Sequence, residues 1–168
     1  MSLMSLTVVD NPADRPEWIK ETIRLVTAVA ADGRRSLLHL AEETTDADLL
    51  AGTPDDWGIG QIAVHLLIVD RGVSLIALRL ARGEDAGSTG QPRPAPTGVT
   101  RDGIRTLAEK AAAAAERLRA EFPAEPDVAR TAPHPFYGPL NSFGWLLTVP
   151  NHYNAHLSAL RQGRPSAL

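Results

Sequence analysis

The alternation of apolar and polar residues along the chain predicts four long helices joined by polar connections. Apolar residues recur every three or four positions in four segments, which is the spacing of amphipathic helices. The apolar run from Ala63 to Val69 would also suit a buried strand, but the periodic pattern around it is too long for one. The predicted helices cover about 16–43, 58–82 and 100–122, and a last helix runs from Asn141 or Ser142 to the stop signals at Gly163 and Pro165.

Capping residues mark the boundaries of these helices. Gly58 is an acceptable N-cap, and Gln61 follows it at the distance of a capping-box partner. Thr100 and Asn141 are favoured N-cap residues for the last two helices. Pro150 lies inside the fourth helix, where it removes one hydrogen bond and clashes with the preceding turn. We therefore expect a kink before residue 151, with a new helical segment starting at Pro150 as the alternative.

The connection between the second and third helices is long enough to cross the length of a bundle. Residues 83–99 contain four glycines and three prolines and little apolar surface, which predicts a loop. Helices joined in this way can lie parallel, whereas a short turn forbids it. Residues 44–56 and 123–140 are also expected to be irregular connections.

Composition narrows the class of protein. A chain of 168 residues is expected to form one domain, and residues 1–3 are expected to be a cloning scar. Cysteine is absent, so any metal must be held by histidine, carboxylates and water. The net charge of −3 without a dense basic run argues against a nucleic-acid partner. Without an uncharged apolar stretch of bilayer length or a signal peptide, we expect no membrane partner and a cytoplasmic location.

Three histidines on the apolar faces of two helices are candidates for an open metal site. His152 and His156 are four residues apart, so they lie on one helical face together with Trp145. His65 lies inside the apolar stripe of the second helix and is the third candidate. Three protein ligands plus an open position are typical of a catalytic zinc site. The alternative is that these are core histidines with satisfied hydrogen bonds. The residues alone do not decide between the two interpretations.

Other polar residues are candidates for supporting roles. A metal-bound histidine usually donates its second ring N–H to an acceptor, and Gln61, Asn151 and Asn154 are placed to accept it. His39 is expected to be a partly exposed helix residue without a ligand role. Tyr153 points away from the histidine face and is expected in the core or an interface.

Two motifs resemble the DinB/YfiT-like metalloenzyme superfamily. The first is Trp57-Gly58-Ile59-Gly60-Gln61-Ile62-Ala63-Val64-His65-Leu66, and the second is His134-Pro135-Phe136-Tyr137-Gly138-Pro139-Leu140 followed by Trp145, His152 and His156. The resemblance implies an all-α four-helix bundle with up-down-down-up topology, often a homodimer. It implies a divalent metal, zinc or nickel, on the histidines at positions 65, 152 and 156. It also implies a thiol cofactor such as mycothiol, bacillithiol or glutathione.

The function that follows is thiol-dependent S-transfer to a small electrophile, with the thiol activated by the metal. Metal-dependent hydrolysis is an alternative, although no residue stands out as its general base. A non-enzymatic bundle that binds a metal or small ligand is the other alternative. His134 is a weak candidate for contact with the substrate or for proton transfer, and packing of its loop is the competing interpretation.

Overall fold

A computed structural model describes residues 15–87, 90 and 92–162, and it contains the four predicted long helices. The expected cloning scar at residues 1–3 and the stop signals at residues 163 and 165 lie outside the described residues. Two small elements within the predicted connections were not predicted: a one-turn helix and a two-stranded antiparallel hairpin. The elements are α1 (Arg15–Glu43), α2 (Asp46–Leu49), α3 (Ile59–Ala81), α4 (Arg101–Glu121), β1 (Ala132–His134), β2 (Gly138–Leu140) and α5 (Ser142–Arg161).

The helices begin where their capping residues predict. The side chains of Thr100 and Asn141 accept hydrogen bonds from backbone N–H groups three residues later, both at 3.0 Å. At the start of α3, the backbone N–H of Gly58 donates to Oε1 of Gln61 at 3.2 Å, as a capping box requires. These local bonds satisfy N–H groups that the first helical turn leaves without partners.

Contacts between helix ends establish the directions of the first three long helices. Arg105, near the start of α4, pairs with Glu42 at the end of α1 at 2.7 Å, so α1 and α4 run antiparallel. Arg82, which follows α3, pairs with Glu121 at the end of α4 at 2.6 Å, so α3 and α4 run parallel. The connection over residues 83–99 therefore crosses the length of the bundle, as predicted.

The direction of α5 completes the up-down-down-up topology. The ring of Phe122, directly after α4, lies 5.6 Å from that of Phe143 in the first turn of α5. The end of α4 thus meets the start of α5, and the two helices run in opposite directions. The helix is continuous through Pro150, so the alternative of a new helical segment there is wrong. The kink stays a prediction.

Helix α3 forms the centre of the core. Fifteen of its 23 residues are buried, and it packs against both α4 and α5. Within the described residues, α3 is the helix that is long and apolar enough to cross a membrane, but 67% of its most apolar window is buried in the protein. This burial is expected of a core helix.

A buried polar cluster joins α1, α3 and α5 within this core. The guanidinium of Arg34 on α1 pairs with the carboxylate of Asp70 on α3, and the hydroxyl of Tyr153 on α5 donates to Asp70 at 2.9 Å. All three residues are buried, which confirms the core position expected for Tyr153. The Tyr153 ring packs so closely on Gly33 that a Cβ there would lie 2.7 Å from its Cγ.

Candidate metal centre

The structure brings together the three histidines that the sequence singled out. His65 lies two turns into α3, while His152 and His156 lie one turn apart on α5. Nε2 of His152 is 3.1 Å from Nε2 of His65 and 3.0 Å from Nε2 of His156. The candidate ligand atoms of all three rings lie within 4.8 Å of one another. Antiparallel packing of α5 on α3 therefore brings the three ring nitrogens together, which neither helix could do alone.

Two of the three nitrogen–nitrogen distances fit a small divalent cation. Nitrogen ligands about 2.0–2.1 Å from a tetrahedral zinc ion are separated from each other by about 3.3 Å. The two measured Nε2–Nε2 distances are close to that edge length. Without a cation, the same distances suit N–H···N hydrogen bonds, but a single Nε2–H on His152 could donate to only one of its two neighbours. The donor set is therefore suited to a metal ion with nitrogen ligands.

A backbone carbonyl from the long crossover orients His65. Nδ1 of His65 lies 2.8 Å from the carbonyl oxygen of Pro92, which can only accept a hydrogen bond. Nδ1 therefore carries the proton, and the lone pair of Nε2 points to the other two histidines. This is the arrangement usual for histidine ligands of metals.

The prediction that Gln61 accepts the second N–H of His65 is wrong. The amide of Gln61 instead accepts from Gly58 and donates to the carbonyls of Thr53 and Pro94, at 3.1 and 2.9 Å. Gln61 thus anchors the crossover rather than the histidine. Because the actual acceptor is the Pro92 backbone, no side-chain pattern in the sequence could have revealed it.

Burial keeps the three rings neutral. Desolvation lowers the pKa of His65, and the bond to the Pro92 carbonyl opposes that change. Desolvation, with the neighbouring histidines, lowers the pKa of His152 to about 3 and that of His156 to about 4. Neutral imidazole is the form that binds metals, so the rings need lose no proton at neutral pH.

The histidine cluster opens to a pocket of about 490 Å³, a size typical of small-molecule sites. The long crossover, the β-hairpin and α5 contribute most of its walls. His65 and His152 line it, so the open side of the cluster faces a space where a substrate can enter. The other lining residues are Pro54, Asp55, Trp57, Val69, Gly90, Pro92, Arg93, His134, Pro135, Phe136, Tyr137, Trp145, Thr148, Asn151 and Ala155.

His134 lines the same pocket from the unpredicted hairpin. Its ring stacks on Tyr137, with centroids 4.8 Å apart, and packs against Trp145 at 4.7 Å. Its Nδ1 accepts from the backbone N–H of Phe136 at 3.2 Å, which helps to shape the hairpin turn. Burial lowers the pKa of His134. The residue therefore packs its loop, as one interpretation predicted, and faces the pocket, as the other required.

The remaining candidates lie farther from the cluster or on its rim. Asn151 is exposed and lines the pocket. Oδ1 of Asn154 accepts from Ser158 at 3.4 Å. The side chain of His39 is 74% exposed and lies 3.4 Å from Glu43, as expected of a surface histidine.

Comparisons with known proteins agree with this architecture. Residues 30–160 match the sequence model of the DinB superfamily. The crystal structure of TT2238, described as a four-helix bundle protein, superposes with a TM-score of 0.64 at 25% identity and covers 83% of this chain and 98% of its own. No curated protein matches the chain.

Proposed function

The chain belongs to the DinB superfamily, and we propose that it is a divalent-metal-dependent S-transferase. It would join a low-molecular-weight thiol, such as mycothiol or bacillithiol, to a small electrophile in the cytoplasm. The observation that carries this proposal is the convergence of three Nε2 atoms beside a pocket. His65, His152 and His156 would hold the ion, with zinc or nickel as the expected metals.

The protein's own residues prepare the site for this chemistry. When bound, the metal supplies a Lewis acid that lowers the pKa of a thiol entering the pocket. The Pro92 carbonyl fixes the tautomer of His65, and the surrounding core restricts water on the far side of the rings. Trp57 packs edge-on against the His65 ring, with centroids 4.9 Å apart, and restricts its rotation. The chain lacks cysteine, so the nucleophilic sulfur must come from a cofactor.

Metal binding is tested first. Purified protein is stripped with a chelator, reloaded with zinc or nickel, and analysed by elemental mass spectrometry. We expect about one equivalent per chain in the wild type, and a loss of at least tenfold in affinity for His65→Ala and His152→Ala. His39→Ala is the matched control, because it removes an exposed histidine that is not part of the cluster. Equal metal retention by the wild type and His152→Ala would eliminate the proposed site.

Activity is tested with the loaded protein, 1-chloro-2,4-dinitrobenzene and each of three thiols: mycothiol, bacillithiol and glutathione. In the expected reaction a carbon–sulfur bond forms, the carbon–chlorine bond breaks, and the thiol proton and chloride enter solution. We expect product formation that requires the metal and is lost in His156→Ala. Hydrolysis without thiol consumption would favour the metal-dependent hydrolase. If panels of further electrophiles also give neither reaction, a non-enzymatic binding bundle is favoured.

Two parts of the proposal concern partners. The substrate is expected to be a small molecule, because the pocket has the volume of such sites. The homodimer that the resemblance implies stays a prediction, which sedimentation equilibrium of the full chain can test.

A further inference from the structure

The pocket beside the histidine cluster has flat, mostly apolar walls. Its lining includes two tryptophans, a phenylalanine, a tyrosine and three prolines. Trp57 and Trp145 already donate their indole N–H groups, to the carbonyls of Pro54 and Ala132 at 3.1 and 3.2 Å. Neither indole N–H therefore needs an acceptor on a ligand, and the two rings contribute apolar surface. Such walls favour a flat hydrocarbon ring.

Formal charge in the pocket is confined to exposed positions. Asp55 and Arg93 are the lining residues with ordinary side-chain charges, and both are exposed. The hydroxyl of Thr148 donates to the backbone carbonyl of Trp145 at 2.7 Å, so its proton is also in use. Apart from the metal ion that the proposed function places on the histidines, the side chains of the deeper pocket thus offer little to neutralise a charged ligand, and burial of an unpaired charge among them would be costly.

His134 differs from these groups because it has a donor to spare. Since Nδ1 accepts from the Phe136 N–H, the proton of the neutral ring must reside on Nε2. Within the part of the chain that the structure describes, Nε2 of His134 has no hydrogen-bond partner. The Tyr137 ring stacks on the His134 ring, and the Trp145 ring packs against it at an angle, so both restrict its position. It therefore presents a fixed donor on the wall of the pocket.

We infer that the pocket selects uncharged molecules that carry a flat aromatic or conjugated ring next to a carbonyl oxygen, and that His134 Nε2–H donates to this oxygen. The inference deepens the proposed function, on which it rests for the reaction, because it names the class of electrophile. A carbonyl polarised by such a donor draws electron density from the β-carbon of a conjugated C=C–C=O group. The thiol sulfur bonds to that carbon, the C=C π bond breaks, and the thiol proton moves to the α-carbon. The recognition itself depends only on the pocket and is separable from metal binding.

Three small probes separate the two elements of this recognition. Acetophenone has both ring and carbonyl, ethylbenzene lacks the acceptor, and cyclohexyl methyl ketone lacks the flat ring. Binding is followed by NMR from the indole N–H shift of Trp57, with protein as purified and after chelation. We expect acetophenone to bind about three- to tenfold more tightly than ethylbenzene, as one neutral hydrogen bond provides. We expect a preference of about two- to tenfold over cyclohexyl methyl ketone from ring packing.

Variants at position 134 decide the role of the histidine. His134→Phe keeps a flat ring but removes both the Nε2–H donor and the Nδ1 acceptor of the Phe136 N–H. The preference for acetophenone over ethylbenzene, measured within this variant, should therefore disappear. His134→Gln retains an N–H donor and should keep part of the preference, and it serves if the phenylalanine variant does not fold. His39→Phe is the surface control and should change nothing.

Two results would overturn the inference. One is that the wild type binds acetophenone no more tightly than ethylbenzene, and the other is that His134→Phe keeps the full preference for acetophenone over ethylbenzene. Because the same titrations are made without metal, they succeed or fail independently of the S-transferase proposal. Normal probe selectivity in a protein that binds neither zinc nor nickel would refute the proposed function and leave the pocket assignment standing.

Discussion

Replacing Asp70 with asparagine should destabilise the bundle far more than its conservative shape suggests. Asp70 is 2% exposed, and its carboxylate is paired with the guanidinium of Arg34, itself 6% exposed. Asparagine preserves the side-chain volume but removes the negative charge. The Arg34 guanidinium then remains buried without a counter-ion, which is the costly part of the change.

Three variants should differ in stability because each removes a different part of this cluster. Breaking a buried ion pair from one side costs about 3–5 kcal/mol, which we expect for Asp70→Asn. Tyr153→Phe removes one hydrogen bond to Asp70 but leaves the ion pair, so about 1–2 kcal/mol is expected. The triple variant Arg34→Met, Asp70→Leu, Tyr153→Phe removes every polar group at once, and it should lie within about 2 kcal/mol of the wild type.

Urea unfolding followed by circular dichroism at 222 nm measures these differences, provided that the m-values agree. Glu21→Gln is the matched control, because the Glu21–Arg24 pair lies on the surface of α1, and its unfolding midpoint should not move measurably. The reasoning is refuted if Asp70→Asn loses less than about 1 kcal/mol, or if the triple variant is as unstable as the single one.

Three further predictions concern the core, the crossover and the histidine cluster. Gly33→Ala should lower the melting temperature, because overpacking against Tyr153 costs about 1–3 kcal/mol and outweighs the gain of about 1 kcal/mol in helix propensity; an increase would contradict the close packing. Gln61→Leu should cost about 1–3 kcal/mol in urea unfolding, because it leaves the part-buried N–H of Gly58 and two carbonyl groups without their protein partners. The free energy of unfolding of the metal-free protein should decrease as the pH falls below about 6.5, because His152 and His156 bind protons in the unfolded chain but not when they are buried. A free energy of unfolding that does not change between pH 7 and pH 4.5 would refute this.

The long helices could be predicted because their signals are local. Thr100 and Asn141 bond to backbone N–H groups within three residues, so the sequence alone specifies those helix starts. The helix α2 has only four residues, and the strands have three each, which is too short for a periodic pattern. Proline at positions 133 and 139 also argues against strands in a single sequence.

The candidate site was predictable where it depends on helix faces and unpredictable where it depends on the backbone. Spacing alone placed the three histidines on facing stripes. The buried cluster around Asp70 was missed, although Leu66, Asp70, Val73 and Ala77 share a core-facing spacing of four, three and four. An acidic residue on that stripe is a signal that a buried cation must lie opposite. The acceptor from Pro92 had no such signal.

Through the carbonyl of Pro92, the crossover influences the geometry of the histidine cluster. His65 is oriented by residue 92, and the neighbouring carbonyl at residue 94 is fastened to Gln61. Binding of a metal ion at the cluster and docking of residues 92–94 would therefore be thermodynamically linked, and such linkage is reciprocal. An ion that favours the oriented His65 ring should therefore also favour docking of residues 92–94 and protect them from proteases. Docking of these residues should strengthen binding of the ion by the same free energy. Substitutions in residues 92–94 can consequently change the affinity of the cluster for a metal ion while His65, His152 and His156 stay unchanged.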